Sequence, residues 1–361
     1  SLKTHIVGNS NRIDFLIDGL NKQITNSFFG KTYSGEAYEM VIHDMFLKPF
    51  ESELKKVSKL IIIPHFETVR LPFEVLKNHE NQYLVNKFEI LYQYSADILL
   101  QSKEQKLNLE TILAAAPFAD THSGNILPAS LKEIESISGL KQISHQATKQ
   151  NFFAAYKNHS VIHLATHATA NNTHPAKSYV SFYPKQKDSL QSRMYIDEIK
   201  LLDFRNVDLL FLSACETSSG KQIQNEGIMS LSRAFSLAGC NNIVTSLWKA
   251  EDEATAYLSK KFYFYLEDNY SIESALQRAK IDLLNDPKMS QYHSPAYWSH
   301  LIMIGFPQNQ SFFSWYFVGL AVLIGFGGVT WIHLKFPFFL KHLLPYQPFY
   351  RNQYFRKLLK K

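Results

Sequence analysis

Cysteine is scarce in this chain of 361 residues, in which only Cys215 and Cys240 occur. Two cysteines cannot form the disulfide framework of a small secreted domain, so each has to be considered as a thiol. The chain also lacks internal repeats, while 45% of its residues are hydrophobic, which is enough for a substantial core. No positively charged and then apolar leader follows Ser1, so these residues predict no signal peptide, and a start at Ser rather than Met leaves open what precedes them.

Acidic residues are absent after His333, where the tail carries seven basic ones: Lys335, Lys341, Arg351, Arg356, Lys357, Lys360 and Lys361. Without those seven, the formal net charge of +6 becomes −1. The basicity therefore belongs to a tail and not to a patch on the folded body. We expect no nucleic-acid partner for this reason.

Charge of either sign is missing from 312–334, a run of 23 residues without Asp, Glu, Lys or Arg. This length suits a transmembrane helix, and Trp315 and Trp331 near its ends suit the membrane interfaces. The alternative is a buried core helix, although such helices are usually shorter and amphipathic. The basic, aromatic tail 335–361 is typical of a segment on an anionic membrane surface. We therefore predict a single-pass membrane protein with a cytoplasmic tail and with the body, 1–307, on the opposite face.

The body alternates short apolar runs with amphipathic stretches, which predicts an α/β fold with a mostly parallel central sheet flanked by helices. The predicted strands are Leu60–Pro64, Phe88–Tyr92, Ile112–Ala116, Val161–Thr166, Asp208–Ala214, Asn242–Trp248 and His300–Ile304. The predicted helices lie around Gly35–Leu47, Ala129–Ser138, Lys149–Asn158, Gly227–Ala238, Asp252–Glu267 and Ser271–Asn285. Gly239 is a natural stop for the fourth of these helices.

His167 and Cys215 each follow a predicted buried strand. In an open α/β sheet, ligands bind beyond the carboxyl ends of the strands, so the two side chains can meet there. A thiol supported by an imidazole is a nucleophile. Their separation of 48 residues is close to the spacing of about 50 between His and Cys in caspases. Considered alone, Cys215 would more often be a small buried hydrophobe, and the spacing to His167 is what favours a nucleophile.

Two other residues compete for a chemical role. His163 and His167 would chelate one metal ion if they lay on a helix, where residues four apart share a face. The run from Val161 to Thr166 is β-branched and apolar, and four extended residues span about 13 Å, too far for one ion. We therefore predict that His163 is packed within a strand and that no metal is bound. Cys240 has no nearby His and is expected to be a core residue.

Several motifs, in order along the chain, resemble the CHAT domain, a caspase-like domain found with tetratricopeptide repeats in bacteria. The resemblance covers roughly residues 30–305. The motifs that carry it are IIIPHFETVRLPFEVL (61–76), LPASLKEIESI (127–137), IHLATHATANNTH (162–174), LLFLSACETSSGK (209–221), NEGIMSLSRAFSLAGCNNIVTSLWKAEDEAT (225–255), ALQRAK (275–280) and PAYWSHLIMIG (295–305).

The resemblance implies a fold similar to that of caspases and separases, with a catalytic dyad of His167 and Cys215. It implies an oxyanion hole made by backbone N–H groups at Cys215 and near Ala168. The family usually has Gly at this second position, and the methyl group of Ala168 restricts the backbone relative to Gly.

The resemblance also suggests how substrate would bind. The strand Val244–Trp248 would pair with an extended substrate by strand addition, and Trp248 would form a wall of the pocket. Asp252 and Glu216 are candidate acids for a basic side chain before the scissile bond. Alternatively, Asp252 caps the helix that follows.

Together these features predict a membrane-tethered cysteine endopeptidase that cleaves a protein partner and needs no cofactor. Upstream tetratricopeptide repeats or another regulatory partner are expected from the resemblance. One alternative is a catalytically silent caspase-like scaffold or signalling module. Another is an amidase or transferase that uses the same dyad to form a thioester.

Overall fold

The computed structural model describes most of the body of the protein. The described residues are 3–7, 10–28, 31–100, 107–120, 126–171, 174–184, 190–214, 226–248 and 251–308, without the side chains of 226–230. The predicted membrane span, 312–334, and the tail lie outside them. In the described part, no helix is both long enough and apolar enough to cross a bilayer.

The described residues contain eleven β-strands and twelve α-helices. The strands are β1 Lys59–Ile62, β2 Glu89–Tyr92, β3 Ile112–Ala116, β4 Leu140–Ile143, β5 Val161–Ala165, β6 Ala168–Thr169, β7 Tyr179–Ser181, β8 Arg193–Tyr195, β9 Leu209–Ser213, β10 Ile243–Ser246 and β11 Leu301–Ile304. The helices are α1 Ser10–Ser27, α2 Glu36–Phe46, α3 Glu51–Leu54, α4 Leu84–Lys87, α5 Ala96–Leu100, α6 Pro128–Glu135, α7 Lys149–Ala155, α8 Ile196–Lys200, α9 Glu226–Leu237, α10 Asp252–Glu267, α11 Ile272–Asn285 and α12 Pro295–Trp298.

Eight strands form the central sheet, in the order β1-β2-β11-β10-β9-β5-β3-β4. Every neighbouring pair is parallel except β10 and β11, which are antiparallel. A second, antiparallel sheet in the order β6-β7-β8 follows directly after β5. The prediction of a mostly parallel central sheet is confirmed.

The central strands are buried on both faces, which is why their sequences are continuously apolar rather than alternating. In β9, Leu209 and Phe211 point into one core, which also contains residues of α1, α2, α6, α10 and α11. Leu210 and Leu212 point into the other core, which contains residues of α7, α8 and α9. Helices therefore cover both faces of the sheet, as predicted.

All seven predicted strands and all six predicted helices are present, most of them shorter by a residue or more. The positive φ of Gly239, +108°, agrees with its predicted role as a stop after α9. The sequence patterns missed β4, the small β6-β7-β8 sheet, the long helix α1 and the short helices α3, α4, α5, α8 and α12. The strands of that sheet are only two or three residues long, too short to show a periodic pattern.

Candidate active site

Four neighbouring parallel strands, β10, β9, β5 and β3, end at the same edge of the central sheet. Ala165 of β5 lies directly opposite Ser213 of β9 in the ladder. The chain then leaves both strands side by side, with His167 two residues after β5. Cys215 and Glu216 lie outside the described residues, but Ala214, just before them, lines a pocket at this edge.

The pocket has a volume of about 50 Å³, which suits one inserted side chain rather than a large ligand. Its described lining residues include Glu133, Thr166, His167, Trp248, Asp252 and Thr255. They come from the ends of β5 and β10 and from helices α6 and α10. The strand order thus brings His167, Trp248 and Asp252 to one pocket, although they span more than 80 residues of sequence.

His167 is held by contacts on both sides of its backbone. The amide of Thr166 donates to the carbonyl of Ser213 at 3.1 Å, and the amide of Ser181 donates to the carbonyl of His167 at 2.8 Å. The ring of His167 packs against Phe118, with 4.8 Å between centroids. Phe118 lies two residues beyond β3, in the same relation to its strand as His167 to β5. Both sheets and Phe118 therefore fix the imidazole at the pocket.

Ala168 is buried and begins β6, where it faces Val180 of β7. Next to it in the β6–β7 ladder, His167 and Ser181 are joined by a backbone hydrogen bond. Hydrogen-bonded and non-hydrogen-bonded pairs alternate along an antiparallel ladder, so Ala168 and Val180 form a non-hydrogen-bonded pair. The amide of Ala168 consequently points away from β7. Because Ala168 has no positive φ and lies in an extended strand, its methyl group causes no backbone strain at this position.

Trp248 is fixed at the wall of the pocket. Its side chain is only 2% exposed, and its Nε1–H donates to the carbonyl of Ala296 at 2.9 Å. Asp252 is half-buried on another wall, at the first residue of α10. The helix is capped instead by Glu251, whose side chain accepts hydrogen bonds from the amides of Glu253 and Ala254. The alternative in which Asp252 caps the helix is therefore wrong.

The expected pairing of substrate along Val244–Trp248 needs correction. β10 lies inside the central sheet, with Val244 opposite Phe211 of β9 and opposite Met303 of β11. Beyond the strand, the amide of Leu247 still donates to the carbonyl of His300 at 2.7 Å. Both edges of β10 are therefore occupied, and strand addition along Val244–Ser246 is excluded.

His163 is a packed strand residue, as predicted, with no exposed surface. Its Nε2 lies 2.9 Å from Oε1 of Glu133, and its Nδ1 lies 3.0 Å from the hydroxyl of Tyr263. The ring stacks on Phe211 at 4.5 Å. Sequence reasoning missed Glu133 as a pocket residue, although it lies within the motif 127–137, because its position depends on the packing of α6.

The thiol of Cys240 is also buried, as predicted, with 1% of the residue exposed. It donates to the carbonyl of Asn242 at 3.4 Å. Burial raises the pKa of this thiol to about 12, so Cys240 carries almost no thiolate at neutral pH. In the described ranges, no three His, Cys, Asp or Glu side chains gather as a metal site.

The chain matches the CHAT domain over residues 37–306, which is most of its length. It therefore belongs to the CHAT domain family. Among curated proteins, it is 23% identical to tetratricopeptide repeat protein 28 of Homo sapiens and, equally, of Mus musculus. That alignment covers 73% of this chain but only 13% of the relative, so the chain spans a small part of the curated proteins that it matches.

Two solved structures resemble the fold at a greater distance. The first is the separase–securin complex of Saccharomyces cerevisiae, with 13% identity and a TM-score of 0.42 over 67% of this chain and 15% of that one. The second is the Arg-specific cysteine proteinase gingipain R (RgpB) of Porphyromonas gingivalis, with 11% identity and a TM-score of 0.44 over 82% of this chain and 74% of that one. At this distance neither resemblance bears on an activity.

Proposed function

We propose that this CHAT-domain protein is a caspase-like cysteine endopeptidase that cleaves a protein partner with His167 and Cys215. The observation that carries the proposal is the register of β5 and β9. Ala165 lies opposite Ser213, so the two chain segments leave the sheet together at the pocket. His167 is held there by the small sheet and by Phe118. A fixed imidazole beside the segment that leads to Cys215 supports the proposal, because thiol activation requires an imidazole within hydrogen-bond reach of the thiol.

In the proposed reaction, His167 accepts the proton of the Cys215 thiol, and the thiolate attacks a peptide carbonyl. The developing oxyanion accepts hydrogen bonds from backbone N–H groups at Cys215 and Ala168, each worth about 2.7–4 kcal/mol. The imidazolium of His167 then gives its proton to the leaving amine. Water attacks the resulting thioester, which releases the acid product and restores the thiol. Trp248, Asp252 and Glu216 are proposed to bind the substrate residue before the scissile bond.

A cleavage assay on the full-length protein in detergent tests the dyad. We expect peptide cleavage that is abolished in Cys215→Ala and reduced at least about a hundredfold in His167→Ala, the usual size of a lost general base. Cys240→Ala is the matched control, because its thiol is buried and protonated. Cleavage that persists in Cys215→Ala contradicts the proposal. No cleavage across a peptide library would instead favour the silent scaffold.

Two further parts of the proposal concern attachment and control. Residues 312–334 are proposed to anchor the protein in a membrane, because they form an uncharged run long enough to span it. We expect the full-length protein to resist alkaline extraction from membranes, whereas a chain ending at Gln308 should be released. Tetratricopeptide repeats are the proposed regulatory partner, because the curated relatives are tetratricopeptide repeat proteins.

A further inference from the structure

Glu133 is the most deeply buried acid of the pocket. It lies on α6, is 5% exposed, and lines the pocket together with Asp252 of α10. A carboxylate in such a position is costly unless it is hydrogen-bonded and matched by a cation. Among the described lining residues there is no Lys or Arg. In the part of the chain that the structure describes, the pocket therefore combines two acids with no Lys or Arg beside them.

A buried array behind the pocket holds one oxygen of Glu133. Oε1 lies 2.9 Å from Nε2 of His163, whose Nδ1 lies 3.0 Å from the hydroxyl of Tyr263. Burial, and after it the charge of Glu133, raises the pKa of Tyr263 well above its ordinary value, so the hydroxyl keeps its proton. The hydroxyl of Tyr263 then donates to Nδ1, and the Nε2–H of His163 donates to Glu133. An imidazole with its proton on Nε2 satisfies both partners and holds this oxygen of Glu133 in place.

The array also fixes the direction of the carboxylate. His163 is stacked on Phe211 in the first core and has no exposed surface, so its ring cannot turn away. With Oε1 held on the His163 side, Oε2 is left for the pocket. Asp252 approaches from another wall, and its side chain is not used to cap α10. Two carboxylates around a space for one side chain match a guanidinium, whose planar fork can donate to both.

We propose that Glu133, oriented by His163 and Tyr263, is a specificity-determining residue that together with Asp252 receives the basic side chain preceding the scissile bond. This inference rests on the proposed function, because it assigns the pocket to the same site. Arg is favoured over Lys, since five N–H donors can satisfy two carboxylates whereas an ammonium acts as a point charge. Trp248 packs beside the aliphatic stem of the bound residue.

The first test compares peptides with Arg, or its uncharged analogue citrulline, before the scissile bond. For the full-length protein we expect a preference for Arg in kcat/KM that falls at least about tenfold in Glu133→Gln, the loss of one charge-assisted hydrogen bond. Glu135→Gln is the matched control, because Glu135 lies on the same helix but is exposed. An Arg preference unchanged in Glu133→Gln overturns the inference while leaving the endopeptidase intact.

The second test examines the positioning role of the array. Tyr263→Phe removes only the hydroxyl and should raise KM for the Arg peptide several-fold, with kcat and the citrulline peptide little changed. Tyr265→Phe is the matched control, because Tyr265 lies on the same helix as Tyr263 but away from the pocket. Its hydroxyl donates to Asp282 of α11 at 2.9 Å. Equal losses of kcat/KM for the Arg and citrulline peptides would indicate a purely structural role of Tyr263 and contradict the positioning assignment.

A third measurement separates this inference from the proposed reaction. Binding of N-acetyl-arginine amide is measured by ligand-observed NMR on the full-length Cys215→Ala variant, which cannot catalyse. We expect binding that Glu133→Gln weakens at least about tenfold and that the citrulline amide does not show. Binding through Glu133 without any cleavage by the wild type would overturn the proposed function only. Absence of binding, or binding indifferent to Glu133→Gln, overturns the inference.

Discussion

Two histidines lie fully buried near the pocket, and the fold gives them different surroundings. His163 has a hydrogen-bonding group at each ring nitrogen. Among the described residues, His300 has a single side-chain partner, the hydroxyl of Thr255 at 3.3 Å from its Nε2. Burial, and after it the charge of Lys280, lowers the pKa of His300 to about 3. The fold thus tolerates His300 only in its neutral form.

We predict that His300 makes the protein sensitive to acid. Its folded pKa lies below the value of 6.5 in the unfolded chain, so the unfolded state takes up the proton first. The contribution to stability is complete above pH 6.5 and is lost as the pH falls towards 3, by about 1.4 kcal/mol per pH unit. Urea unfolding between pH 4 and 8 measures this slope.

The variant His300→Gln should remove that part of the pH dependence, because an amide does not titrate in this range. His145→Gln is the control, since His145 is exposed. Curves of unfolding free energy against pH that run parallel for the wild type and His300→Gln would contradict the assignment.

Single residues show which parts of the site can be read from sequence. His167 could be placed at the pocket because it follows a recognisable strand, whereas Trp248 could be placed there only through the resemblance to the CHAT domain. The array of Glu133, His163 and Tyr263 could not, since its members lie 30 and 100 residues apart and meet only when α6 and α10 pack on β5. The alternative in which Asp252 caps α10 failed for a different reason, because the preceding residue, Glu251, takes the capping position.

At the scale of elements, the turn into β4 depends on one glycine. Gly139 has a φ of +111°, which side chains rarely adopt, and an added Cβ would lie 2.4 Å from the carbonyl oxygen of Ile112 in β3. Gly139 thus allows the chain to pass close to β3 before β4 pairs with it. The strand escaped prediction because β4 lies at the edge of the sheet and exposes Leu140.

We predict that Gly139→Ala lowers the free energy of unfolding by about 1–2 kcal/mol from the backbone conformation alone, and by more if the contact with Ile112 cannot relax. Thermal and urea unfolding measure the change. Ser136→Ala, at an exposed position nearby, should have little effect. A Gly139→Ala variant as stable as the wild type would show that the turn relaxes freely.

The strand β10 was predicted correctly from its sequence, but its pairing partners were not. The apolar run of β10 identified a buried strand correctly, but a run that is apolar on both faces does not reveal its neighbours. β11 comes last among the described strands and lies between β2 and β10, which occupies the edge expected for substrate. The edges of β10 therefore offer no place for a further strand up to Ser246.

At the scale of the whole molecule, buried ion pairs join distant parts of the chain. Nζ of Lys280 on α11 lies 3.2 Å from Oε1 of Glu74, and both side chains are almost fully buried. The hydroxyl of Tyr92 in β2 donates to the other oxygen of Glu74 at 2.6 Å. Burial lowers the pKa of Lys280, opposed by the charge of Glu74. The pair spans 206 residues and fixes α11 against the segment before β2.

We predict that Lys280→Met lowers the free energy of unfolding by about 3–5 kcal/mol, because it leaves the carboxylate of Glu74 buried without its cation. The double variant Glu74→Gln with Lys280→Met should recover a large part of that loss. Urea unfolding of the wild type, both single variants and the double variant forms the required cycle. If the losses of unfolding free energy in the two single variants add strictly in the double variant, a direct pairing of Glu74 and Lys280 is contradicted.

The architecture as a whole was predictable because alternating strands and helices fix the class of fold. The strand order was not, because it depends on which helix crosses which face of the sheet. The candidate site contains one feature that could be predicted from the sequence and one that could not. Parallel neighbours bring His167 and the segment that leads to Cys215 together, and this followed from the strand pattern. The acids around the pocket depend on helix packing, which the sequence pattern does not contain.

Covalent labelling of the full-length protein by a peptidyl-arginine acyloxymethyl ketone tests the central claim most directly. Intact mass and peptide mapping should show one adduct, on Cys215, that is lost in Cys215→Ala and unchanged in Cys240→Ala. Labelling should slow at least about a hundredfold in His167→Ala, because the Cys215 thiol then lacks the base that accepts its proton. An adduct on Cys240, or labelling of Cys215 at an equal rate without His167, would contradict the dyad.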